Sequence, residues 1–80
     1  MSNEPIQYRQ ILNNIVTKNK LSVSLSVMQE GPGHATSWIS VYTLQGVGVI
    51  GNASHTAKET SKDYAAWQAV TWLQSRNYWA

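Results

Sequence analysis

At 80 residues the chain is long enough for one domain with a modest core, and with no cysteine that core has no disulfide or thiolate–metal site to staple it. No apolar run is long enough to cross a bilayer, and Ser2-Asn3-Glu4-Pro5 is not a signal-peptide opening, so an intracellular location is expected, cytoplasmic rather than nuclear. The isoelectric point is about 9.2, yet the formal net charge is only +2. Any attraction for a polyanion must therefore come from where the charges sit, since their total is small.

The first predicted helix runs from Pro5 to about Asn19. Proline suits a first helical turn, where its missing N–H is unsatisfied anyway. Tyr8, Ile11, Leu12, Ile15 and Val16 recur at three- and four-residue spacing and form one apolar stripe. Next, Leu21, Val23, Leu25 and Val27 alternate with Ser22, Ser24 and Ser26, the pattern of a strand with one buried and one wet face.

A second strand is predicted over Trp38–Leu44 and a third from Val47 to about Asn52, joined by Gln45-Gly46 as a two-residue hairpin. That register sets Leu44 opposite Val47, Tyr42 opposite Val49 and Val41 opposite Ile50. Trp38, Tyr42, Leu44, Val47 and Val49 would then point into the core. Ile39, Val41 and Ile50 would form a small apolar strip on the open face of the sheet.

The last helix is predicted to begin with Thr56 as N-cap, because Thr56-Ala57-Lys58-Glu59 fits a capping box. At 100° per residue, Ser61, Ala65, Ala66, Ala69, Val70 and Leu73 share one broad face, and Thr60, Tyr64, Trp67 and Thr71 the opposite one. The expected fold is α+β: α-β-β-β-α, with a three-stranded antiparallel sheet and both helices packed on one face. It would be a single domain over residues 5–75, with 76–80 as a C-terminal tail or helix extension.

Catalysis is not expected. The histidines and acidic residues are scattered over different elements without metal-ligand spacing, and no glycine-rich phosphate loop with its lysine is present. No cofactor or metal is called for.

Several short motifs, taken in order, resemble the double-stranded RNA-binding domain family over nearly the whole chain. Leu12-Asn13-Asn14-Ile15 followed by Thr17-Lys18 and Leu21 is similar to the family's first-helix pattern. Gly31-Pro32-Gly33-His34 followed by Trp38 resembles its glycine-proline-x-histidine loop and the aromatic that opens the second strand. Lys58 through Lys62, then Ala65, Ala66, Ala69, Val70 and Leu73, resemble its lysine-rich signature and the small-residue stripe beyond it.

The resemblance implies recognition of A-form duplex by shape, without base specificity: 2′-hydroxyls line the shallow minor groove, and phosphates flank the narrow major groove. It implies three contact regions: Asn14 and Thr17 on the first helix, Gly31, Pro32, Gly33 and His34 in the loop, and Lys58 and Lys62 on the last helix. Two departures are conservative, since Asn14 replaces a glutamate and Thr17 a glutamine, and both still hydrogen-bond. Glu59 takes the place of a lysine, which predicts weak RNA binding. The alternative is a protein-interaction or homodimerisation module with a degenerate RNA surface. Its interface would comprise Ile39, Val41 and Ile50 on the sheet and Tyr64 and Trp67 on the helix, apolar residues this reading leaves exposed.

Overall fold

The structure is a computed structural model that describes residues 7–32 and 36–80. Pro5, Gly33 and His34 lie outside the described residues. The element order is α1 (Tyr8–Lys18), β1 (Val23–Glu30), β2 (Ser37–Leu44), β3 (Gly48–His55) and α2 (Lys58–Ser75). The strands form one antiparallel sheet in the order β1-β2-β3. The expected α-β-β-β-α architecture is the one observed.

One core joins both layers. Leu12 and Ile15 of α1 meet Tyr42, Leu44 and Ile50 of the sheet and the Ala65, Ala66, Ala69, Val70 and Leu73 stripe of α2. The alanines let α2 lie against β3 at backbone distance. A side chain at Gly51 would run into the Ala65 carbonyl and the Ala69 amide, so glycine is required there.

The hairpin between β2 and β3 differs from the expected one, and the difference re-aims β3. The turn has three residues: Val47 N–H donates to Leu44 C=O at 3.0 Å, with Gly46 at φ +86° where such a turn needs a positive φ. Leu44 therefore pairs with Gly48, and Thr43 with Val49, but Tyr42 pairs with Gly51. Ile50 is the extra residue of a β-bulge. A bulge breaks the two-residue alternation, so Ile50 and Gly51 both face the helices.

Ile50 is only 5% exposed, whereas Val49 is 56% exposed and Val47 likewise open. The expected placements of all three residues are thus reversed. The open face of the sheet still carries an apolar strip, made of Ile39 and its β1 partner Met28, together with Val41 and Val49.

Both helices stop in the same way. Leu21 N–H bonds to Val16 C=O and Lys20 N–H to Thr17 C=O; at the end of α2, Tyr78 N–H bonds to Leu73 C=O and Asn77 N–H to Gln74 C=O. These are Schellman closures, with Lys20 (φ 55°) and Asn77 (φ 68°) in the left-handed position usually held by glycine. The second closure returns residues 78–80 toward α1, where Asn19 Nδ2 donates to the Trp79 carbonyl at 3.0 Å.

Candidate nucleic-acid interface

The N-terminus of α2 is built differently from a capping box. Ala57 holds the N-cap position with no side-chain cap bond, and its N–H donates to His55 Nδ1 at 2.9 Å. Thr56 does not cap the helix. The Glu59 carboxylate accepts instead from the guanidinium of Arg9 on α1, 2.8 Å away.

Arg9 also donates through Nε to Asp63 at 2.8 Å, and Lys62 lies 3.3 Å from the second Glu59 oxygen. A single arginine thus clasps two carboxylates one helical turn apart and ties α1 to α2. The Arg9 hydrogen bond, aided by Lys62, holds the Glu59 carboxyl below its usual range. The same bond raises the Arg9 pKa. Burial is the main cause of the raised pKa of the Tyr42 phenol, with Asp63 adding to the rise and Arg9 opposing it.

Lys58 escapes this network. Its ammonium sits 5.1 Å from the centre of the Trp38 ring, a cation–π contact that orients the lysine while leaving it exposed. Below it, Ser61 Oγ donates to Lys58 C=O at 2.7 Å. With its only proton so used, Ser61 accepts from the buried Ser40 hydroxyl of β2, also at 2.7 Å. The tip of α2 is therefore fixed to the sheet by a serine pair and a tryptophan. Its charges are Arg9, Lys58 and Lys62 against Glu59 and Asp63, a small positive excess.

The other expected contact residues are placed as follows. Asn14 and Thr17 are exposed on α1, and Gly31 and Pro32 are exposed at the end of β1. Thr36 Oγ1 donates to Pro32 C=O at 3.2 Å across the base of that loop. Of the alternative interface, Ile39 and Val41 are half-buried on the open face of the sheet, and Ile50 is removed by the bulge. Trp67 remains 47% exposed although its ring meets Tyr8 edge-on at 6.5 Å. Tyr64 is exposed beside His55, with ring centres 6.0 Å apart.

Sequence reasoning missed Arg9, Asp63 and the role of Trp38. Arg9 and its partners are about fifty residues apart, so no local spacing could signal the clasp. Trp38, expected as a core residue, is half-buried at the sheet end where α2 begins.

No protein-family model matches the chain, and no curated protein does. A solved structure matches: the solution structure of both dsRBDs of DRB4 with the linker between them (residues 1–153). It has a TM-score of 0.67 and 22% identity, covering 95% of this chain and 50% of that one. The chain thus spans half the length of that two-domain structure. The fold is the dsRBD fold.

Proposed function

We propose that this domain binds double-stranded RNA, without base specificity and weakly, as a binding module and not a catalyst. The observation that carries the reading is the tip of α2 within a dsRBD fold: Lys58 stands exposed on Trp38 and is anchored from beneath by Ser61. Lys58 would meet phosphates, with Lys62 contributing less because Glu59 shares its charge. Asn14 and Thr17 would offer hydrogen bonds to 2′-hydroxyls in one minor groove, and the loop from Gly31 through His34 would reach the next. Arg9 would act mainly by neutralising Glu59 and Asp63.

The test is a titration with short duplex RNA against duplex DNA of equal length. RNA should bind more tightly, and the affinity should fall with salt. A Lys58→Ala/Lys62→Ala double variant that binds RNA as well as the parent would place the surface elsewhere.

The exposed Trp67 and Tyr64 favour a second reading, a protein-binding patch along the back of α2. A shallow groove of about 270 Å³ beside Trp67, lined by Ile50, Gln68, Thr71 and Trp72, belongs to the same patch. Loss of a binding partner on Trp67→Ala, with RNA binding intact, would support it.

A further inference from the structure

The edge of the sheet formed by β1 is open, and its chemistry is unusual for an edge. From Leu21 to Gln29 there is no charge, no proline and no glycine. Among the described residues β1 pairs with β2 alone. Native edge strands are ordinarily protected against further pairing by charges, prolines or bulges, and this stretch has none of them.

The hydrogen bonding shows which groups are free. Gln45 N–H donates to Ser22 C=O at 2.9 Å, so Ser22 directs its peptide groups toward β2. In an antiparallel ladder this alternates, and the β1–β2 register runs unbroken from Val23 to Glu30. Ser24 and Ser26 therefore also bond inward, while Val23, Leu25 and Val27 present N–H and C=O to the open edge. Their side chains lie on the helix side, where the layer does not cover β1. Leu25 is 40% exposed, and an open groove of about 600 Å³ separates α1 from Val23 and Tyr42.

We propose that β1 is a homodimerisation edge, pairing antiparallel with β1 of a second copy so that Leu25 faces Leu25 and one six-stranded sheet results. The sequence about Leu25 reads the same in both directions, Val23-Ser24-Leu25-Ser26-Val27, so in this twofold register every apolar residue meets an apolar one and every serine a serine. Val23 then meets Val27 of the second copy with free peptide groups opposed, and serine faces serine on the other side of the sheet.

The charges that end the run agree with the same register. It brings the turn that carries Lys20, just ahead of β1, toward Glu30 at the end of the other copy's β1, and both side chains are exposed. Gly31 and the tip of α2 lie outside the paired strands. The inference therefore stands independently of the RNA reading.

Sedimentation equilibrium without RNA tests it. The parent chain should be a concentration-dependent dimer, and Leu25→Lys, which sets two like charges at the twofold axis, should be monomeric. Should Leu25→Lys fail to fold, a charge cycle decides. Glu30→Lys and Lys20→Glu should each loosen the dimer by roughly fivefold or more, and the double exchange Lys20→Glu/Glu30→Lys should restore it. Because the chain has no cysteine, Leu25→Cys should cross-link to itself under mild oxidation, whereas Val49→Cys on β3 should not. A parent that stays monomeric at high concentration overturns the proposal. So does a dimer indifferent to Leu25→Lys and to the charge cycle.

Discussion

Ser40 and Ser61 place their hydroxyl oxygens 2.7 Å apart in the core, and both residues are fully buried. The pair links the middle of β2 to the first turns of α2, and through the Lys58 carbonyl it sets the height of the helix tip above the sheet. Removing one hydroxyl leaves the other without its partner in an apolar layer. Ser61→Ala should cost about 1–3 kcal/mol, read by urea denaturation. Ser40→Ala/Ser61→Ala should cost less than the sum of the single changes, because the double variant strands no Ser40 proton.

Gly51 is the point where strand and helix backbones come closest. Gly51→Ala drives a methyl group into the Ala65 carbonyl and the Ala69 amide, neither of which can swing aside. A loss of about 1–3 kcal/mol is expected, with a lower midpoint in thermal melting. Gly46→Ala is the control: nothing lies within 4 Å of an added Cβ, so only the positive φ is penalised. It should cost about 1 kcal/mol.

Acid should loosen the clasp between the helices. Glu59 has its pKa lowered in the folded chain, chiefly by Arg9. Its contribution is therefore complete above the ordinary glutamate value of about 4.3 and is lost as pH falls through the lower folded value. Arg9 stays charged throughout that range. Stability curves of the parent and Arg9→Met should be separated at neutral pH and converge in acid. Parallel curves down to the lowest pH would show that the ion pair contributes nothing.

Glu59 also limits the charge offered to a phosphate backbone. Glu59→Gln releases Lys62 from its partner, so duplex RNA should bind more tightly. The slope of log affinity against log salt should steepen by up to roughly 0.9, one further phosphate contact. Lys58→Ala should make the slope shallower by a similar amount. Trp38→Ala should weaken binding with less change of slope, because the lysine charge remains and only its orientation is lost.

Much of this protein was legible in its residues. Alternation identified β1 as a strand, but the face it predicted to be buried is left partly open, with Leu25 40% exposed, because the helix layer does not cover this edge. The Ser61, Ala65, Ala66, Ala69, Val70, Leu73 stripe identified the buried face of α2, because helical spacing is a local property that survives any tertiary context. The order of elements and the exposure of Asn14, Thr17 and Lys58 followed from the same patterns. The helix stops were less visible, since Lys20 and Asn77 fill positions where glycine would have been the signal.

What remained for the tertiary structure was every feature that depends on a distant partner. Whether Val49 or Ile50 points inward is decided by a bulge that lets β3 pass under α2 at Gly51. Whether Glu59 caps its own helix or holds Arg9 is decided by how α1 lies beside α2, and Trp38 becomes the seat of Lys58 only when the sheet end meets the helix tip. Periodicity records which face of an element is apolar. It carries no information about which charged residue, some fifty positions away, will stand opposite.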